Sequence, residues 1–173
     1  MMKLGPALAM LIVFATAANA QTALKEIQKE WPDFRYLDPK QVRALPVVIK
    51  ADLEKRGCNI PSFTKWDAKH NVIQGQFLKP GQRDWAVLCR HQDKSSILIY
   101  PGSATADVQM VRSEDHDPYR IIHTITAFVL QKRAIRDKLT ESLPPFDHDG
   151  IEDGPIQKAA LVLFYRDGEW MEF

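Results

Sequence analysis

The chain has 173 residues, with 23 basic against 22 acidic side chains and a formal net charge of +1. Charges of both signs are interspersed with no basic run, which argues against nucleic acid or an anionic membrane surface as the main partner. After the N-terminal segment, no run is long and apolar enough to serve as a membrane span.

The chain opens MMKLGPALAMLIVFATAANAQ. Lys3 supplies a single charge, Leu4 to Ala18 form an apolar stretch too short to span a bilayer, and Ala18-Asn19-Ala20 places small residues where a signal peptidase reads them. This pattern predicts a secretory signal over 1–20, cleaved before Gln21, and a mature chain in the periplasm or outside the cell. Residues 21–173 then fit a single globular domain, with 22 basic and 22 acidic residues once Lys3 is removed. In an oxidising compartment Cys58 and Cys89 are expected to pair, because they are the only two cysteines. The bridge would close a loop of about 30 residues, tie the end of an N-terminal helix to a central strand, and be worth about 3–4 kcal/mol.

Residues 22–30 carry a short helical pattern that Pro32 ends. Asp38-Pro39-Lys40-Gln41 is a helix start: Asp38 can cap, Pro39 fits the first helical position and Gln41 can complete a capping box. Val42, Leu45, Ile49 and Leu53 follow as an apolar stripe. Pro46 lies within it and should kink or restart the helix, and Gly57 is the expected stop. Ser62 to His70 reads as a polar connection. Residues 71–100 then show three strand-like runs separated by two polar turns, an antiparallel meander. In its middle run Trp85, Val87 and Cys89 share one face and Ala86, Leu88 and Arg90 the other, which suits a strand covered on both sides.

Beyond the meander, Val108 to Arg112 is a possible strand. Ser113-Glu114-Asp115-His116-Asp117 reads as a solvated acidic loop, and Tyr119 to Thr126 as a strand holding His123 as a structural residue. Ala127 to Glu141 has a helical pattern with Val129, Ala134, Ile135 and Leu139 as its apolar positions. The segment 159–173 reads as a hairpin turning at Asp167-Gly168. The fold class expected is α+β, with N-terminal helices packed on a mostly antiparallel sheet.

One internal echo stands out. Phe77-Leu78-Lys79-Pro80-Gly81-Gln82-Arg83-Asp84 and Phe146-Asp147-His148-Asp149-Gly150-Ile151-Glu152-Asp153 share Phe-x-x-x-Gly-x-x-Asp. Each copy resembles the FG-GAP (integrin-α-like, VCBS-type) repeat, in which a phenylalanine precedes a calcium loop and an aspartate leads into a strand. The resemblance covers two stretches of the chain and implies related hairpins. It does not imply the seven-bladed propeller of that family, for which the chain is too short. Arg56-Gly57-Cys58, Asp84 to Cys89 and Asp149 to Asp153 together look like small exported bacterial proteins whose activity is unassigned.

The two copies differ in chemistry. Lys79, Pro80 and Arg83 leave the first without acidic ligands, so it reads as a metal-free turn. The second offers Asp147, Asp149 and Asp153 with Glu152 nearby, and hard carboxylate oxygens on a tight loop are what calcium takes. A turn held by local hydrogen bonds is the alternative reading of the same residues.

No Gly-x-Ser-x-Gly, His-Glu-x-x-His or Gly-rich phosphate loop is present. The functional reading is an exported, non-catalytic binding or envelope accessory domain held by one disulfide, taking an unidentified protein or small ligand. Trp31 and Trp66, in loop-like settings, are its candidate anchors. The other readings are a small secreted hydrolase built on Asp147, His148 and Asp149, and a calcium-stabilised binding module.

Overall fold

The computed structural model describes residues 24–63, 70–137 and 145–173. The expected signal segment and Trp66 lie outside the described residues.

Two four-stranded antiparallel sheets form the centre. The first is the meander β3 (Val72–Gly75), β4 (Asp84–His91), β5 (Lys94–Tyr100) and β6 (Gln109–Asp115), adjacent in chain order. The second is a meander too, β7 (Arg120–Ile125), β8 (Gly150–Pro155), β9 (Leu161–Arg166) and β10 (Glu169–Glu172). The α+β class expected from the sequence is the observed one.

Strand alternation explains how the sheets meet. Ala86 and Leu88 of β4 join Ile73, Ile97 and Ile99 on the inner face of the first sheet. They pack on Ile122, Ile151 and Leu163 from the second. Trp85, Val87 and Cys89 point the other way, with Leu98 and Tyr100, and are covered by Leu45, Ile49 and Leu53. The outer face of the second sheet buries Ile125, Val162 and Phe164 under Leu130, Ala134 and Phe146. The order of layers is therefore helix, sheet, sheet, helix.

Asn71 seals the seam where the first strands of the two meanders abut. It is fully buried, at a φ of 62° that asparagine tolerates better than most residues. Its N–H donates to Ile122 O (3.1 Å), its Oδ1 accepts from Ile122 N–H (2.9 Å), and its Nδ2 donates to Pro61 O (2.8 Å).

The helices follow their local signals. Residues 24–30 form α1. The Asp38 capping box is present: Asp38 Oδ1 accepts from Lys40 N–H and Gln41 Oε1 from Asp38 N–H, both at 2.9 Å. The turn it opens is a 3-10 helix, Pro39–Gln41, and the α-helix restarts behind Pro46 as α2 (Val47–Lys55). Gly57, at φ 68°, ends it, and the Cys58–Cys89 disulfide follows at a Cα–Cα distance of 5.2 Å. Beyond the bridge, β2 (Ile60–Phe63) pairs antiparallel with β1 (Phe34–Leu37). Phe34 and Phe63 of this ribbon bury against Ile27, Ile121 and Ile156.

Four expectations are corrected. Phe63, placed by sequence in a polar connection, is 2% exposed and part of the core. The acidic patch is strand rather than loop: Ser113, Glu114 and Asp115 extend β6 and pair with Ser96, Ser95 and Lys94, while Ser113 and Asp115 remain exposed. In α3 (Ala127–Arg136) the buried residues are Leu130 and Ala134, while Val129 and Ile135 face solvent. Thr126, capping Val129 N–H, sets that phase. Finally, Gly150 starts a strand rather than bending a loop. A Cβ there would sit 2.9 Å from Leu163 O and 3.1 Å from Leu130 Cδ1, so the glycine serves close approach.

The Asp167-Gly168 turn is as expected. φ values of 51° and 92° at its two central residues are those of the two-residue hairpin turn matching strand twist. Among the described residues, no helix is long and apolar enough to cross a membrane.

Candidate functional site

The acidic stretch is dispersed by the strand that runs through it. Asp147 precedes β8, with its side chain 67% exposed, and its Oδ1 lies 2.6 Å from His148 Nδ1. That hydrogen bond holds the Asp147 carboxyl below its ordinary range. Asp149 Oδ2 accepts from Gln76 N–H (3.0 Å) and Oδ1 from Ala127 N–H (3.3 Å), tying the loop before β4 to the start of α3. Glu152 faces α3 and takes Arg133 Nη2 at 2.8 Å. Asp153, one residue on, faces the space between the sheets. Its oxygens accept from Arg120 Nε (2.7 Å) and Nη2 (2.8 Å), with Arg112 Nε at 3.6 Å. The four carboxylates expected to share a calcium ion thus point to four different partners. Among the described residues, no group of three or more histidine, cysteine or acidic side chains is placed to hold a metal ion.

His148 is 6% exposed and stacks on Phe164 at 4.3 Å. Its Nε2 is buried without a hydrogen-bond partner among the described residues. A cleft of about 250 Å³ lies beside the pair, lined by Leu78, Lys79, Pro80, Pro145, Tyr165 and Arg166 among others. An aspartate orienting an imidazole is half of a general-base device, but among the described residues no serine, threonine or cysteine lines the cleft to act as nucleophile.

A second polar cluster has no linear signature. Tyr36, Ser95 and His116 are far apart in sequence, yet His116 lies 2.6 Å from Ser95 Oγ through Nδ1 and 2.6 Å from Tyr36 Oη through Nε2. Burial first, and then the nearby Arg90 guanidinium, lowers the His116 pKa to about 4. Arg90 lies over the Tyr36 ring at 4.7 Å. A serine beside an imidazole has the geometry of an activated nucleophile, but Ser95 has no exposed surface for a substrate to reach. Arg120 Nη1 donates to Ser95 O at 2.9 Å, joining this cluster to the Arg120–Asp153 pair. The whole is a polar core knitting β1, β5, β6, β7 and β8.

Trp31 is half-buried and packs against the cluster of Phe34 and Phe63. It and Tyr119 line a cleft of about 300 Å³ with Glu30, Ile156, Gln157 and Lys158. Trp31 meets Phe63 edge-on at 5.6 Å, which fixes its ring against the β1–β2 ribbon. Tyr119 Oη–H donates to Glu30 Oε2 at 3.1 Å, and burial and that carboxylate both raise its pKa. Opposite, Ile156 N–H donates to Tyr119 O (2.9 Å), Gln157 takes a φ of 58°, and Lys158 N–H closes the turn on Pro155 O (3.2 Å). The other two tryptophans serve packing: Trp85 is 7% exposed, and Trp170 donates Nε1–H to Gln109 Oε1 at 2.9 Å.

Sequence reasoning named Trp31, in a loop-like setting, as a candidate anchor but missed Tyr119 and Lys158, which the start of β7 and the β8–β9 turn bring to it. The signal was a tyrosine just before a β-branched run and a charged turn. Neither a family model, nor a curated protein, nor a solved structure matches this chain.

Proposed function

We propose that the chain is an exported, disulfide-stapled binding domain that takes a small ligand in the cleft of Trp31 and Tyr119 and performs no chemistry on it. The observation that carries the reading is that cleft: two aromatic rings and two side chains of opposite charge around about 300 Å³, the size and make-up of a small-molecule site. The leader-like N-terminus and the Cys58–Cys89 bridge support export, since structural disulfides persist in oxidising compartments. The catalytic alternatives are disfavoured by use. Asp149, Glu152 and Asp153 are spent on backbone and arginine partners, and Ser95 is buried. The FG-GAP resemblance enters as a likeness of short stretches: Phe77 to Asp84 joins β3 to β4, whereas Phe146 to Asp153 follows α3 and runs into β8.

The test is a small-molecule screen on the oxidised protein, read by the unfolding midpoint, with Trp31→Leu beside it. A ligand at a hundred times its dissociation constant stabilises by about 2.7 kcal/mol. Ligands that raise the midpoint of the protein but not of Trp31→Leu support the reading. Turnover of an ester, amide or glycoside probe, lost on His148→Gln, would replace it with the hydrolase.

A further inference from the structure

We propose that the Trp31–Tyr119 cleft is a site for a small zwitterion, whose ammonium end lies against the two rings and Glu30 and whose acidic end meets Lys158. The inference rests on the binding reading above and names the class of ligand.

The inventory of the cleft decides among ligands. Among the described residues it contains two aromatic rings, one carboxylate, one amide, one ammonium group and the apolar Ile156. A sugar would need several hydroxyl-directed donors and acceptors, and the lining offers few. An apolar ligand would cover Glu30 and Lys158 without giving either a counter-charge, which costs free energy. A plain cation would suit the rings and Glu30 but face Lys158, and a plain anion would suit Lys158 but face Glu30. A ligand carrying both charges answers both.

The two charges are also uncommitted. Among the described residues neither Glu30 nor Lys158 has an ionic partner, whereas the buried Arg120 does. Glu30 is oriented all the same, by the hydroxyl of Tyr119 at 3.1 Å, which leaves its other oxygen for a ligand. An ammonium group against that oxygen would lie beside the two rings, and aromatic rings attract cations to their faces. Trp31 is held for the purpose by its edge contact with Phe63. Lys158 is delivered from the opposite wall by the turn closed at Pro155. The volume, about 300 Å³, is at the lower limit for ligand sites, so the ligand is small.

Glycine betaine and its two analogues separate the contributions. 3,3-Dimethylbutanoate has the same shape without the positive charge, and choline keeps the positive charge without the carboxylate. Titrated into the oxidised protein by calorimetry, betaine should bind, and each analogue should bind about tenfold more weakly, the loss of roughly one charge contact. Glu30→Gln should weaken betaine and choline alike, whereas Lys158→Met should weaken betaine and strengthen choline. Equal affinity for betaine and dimethylbutanoate, no binding of betaine, or indifference to Glu30→Gln would overturn the zwitterion assignment. If a sugar or apolar probe binds instead and Trp31→Leu abolishes it, the cleft survives as a binding site and only the ligand class is wrong. If no probe of any class is affected by Trp31→Leu, both readings fall.

Discussion

The two Phe-x-x-x-Gly-x-x-Asp stretches end on aspartates that are equally hidden and differently used. Asp84 is fully buried at the first position of β4. Its Oδ2 accepts from Phe77 and Leu78 N–H (3.1 and 3.0 Å), and its Oδ1 accepts from Gln82 Nε2 (2.6 Å) and Gly102 N–H (2.9 Å). It organises a turn out of backbone. Asp153 is 3% exposed at the fourth position of β8 and answers two arginines, Arg120 on the neighbouring strand β7 and Arg112 across the sandwich on β6. The difference lies in register. Asp84 pairs with Gly75 at the end of its ladder, whereas Asp153 pairs with Ile122 in the middle. The structural counterpart of Asp84 is Asp149, just ahead of β8, which also accepts two backbone N–H groups. Equal spacing in sequence therefore did not mean equal place in the fold.

The largest way to test this contrast is Asp153→Ala. It leaves Arg120, 3% exposed, as a buried cation without its main partner. We expect a loss of about 3–5 kcal/mol in urea unfolding. The double replacement Arg120→Met, Asp153→Leu should recover most of it, because the pair's worth lies in not being broken. A single substitution that costs under about 1 kcal/mol would show that the arginine finds water instead.

Asp84→Ala should come next, at about 2–3 kcal/mol, since backbone donors are left without an acceptor. Its signature should be local: faster hydrogen exchange at Phe77, Leu78 and Gly102, with the second sheet unchanged. Exchange that rises in β8 as well would mean that the two loops are coupled rather than merely similar.

A smaller effect separates the charged core from the neutral one beside it. The folded pKa of His116 is lowered to about 4, below the roughly 6.5 of an unfolded histidine. Between those values the unfolded chain binds more protons, so stability falls as pH drops through the window and levels off below it. The groups around the imidazole are Tyr36, Arg90, Asp93, Ser95, Asp117 and Arg120. His116→Gln should flatten the slope between pH 6.5 and 4, and an unchanged slope would assign it to carboxylates. The smallest effect belongs to Asp147→Asn. Its carboxylate is exposed and bonds only its neighbour, so unfolding should shift by no more than about 0.5 kcal/mol.

What was legible in the sequence was what local chemistry decides. The meander over 71–100, the Asp38 capping box, the Gly57 stop, the Asp167-Gly168 turn and the two faces of β4 all follow from spacing and side-chain type. The Cys58–Cys89 pair followed from cysteine count. What was illegible depends on neighbours. Glu114 and Asp115 look like loop until β5 pairs with their backbone, and Gly150 looks like a bend until Leu163 O comes against it. Ser95 and His116 meet only because β5 and β6 run side by side. The aromatic cleft was half legible. Trp31 announced itself before Pro32, but its opposite wall is made by residues about 90 and 125 positions on.

The placement of the bridge has a consequence for the order of events in synthesis. Both cysteines and the whole first sheet lie before residue 116, and the whole second sheet lies after residue 119. A chain made from its N-terminus therefore holds every residue of its first sheet before its partner sheet exists. During that interval Ile73, Ala86, Leu88, Ile97 and Ile99 form a flat apolar face with nothing on it. Such a face attracts other nascent chains, so the arrival of β7–β10 sets how long the half-made molecule needs a chaperone.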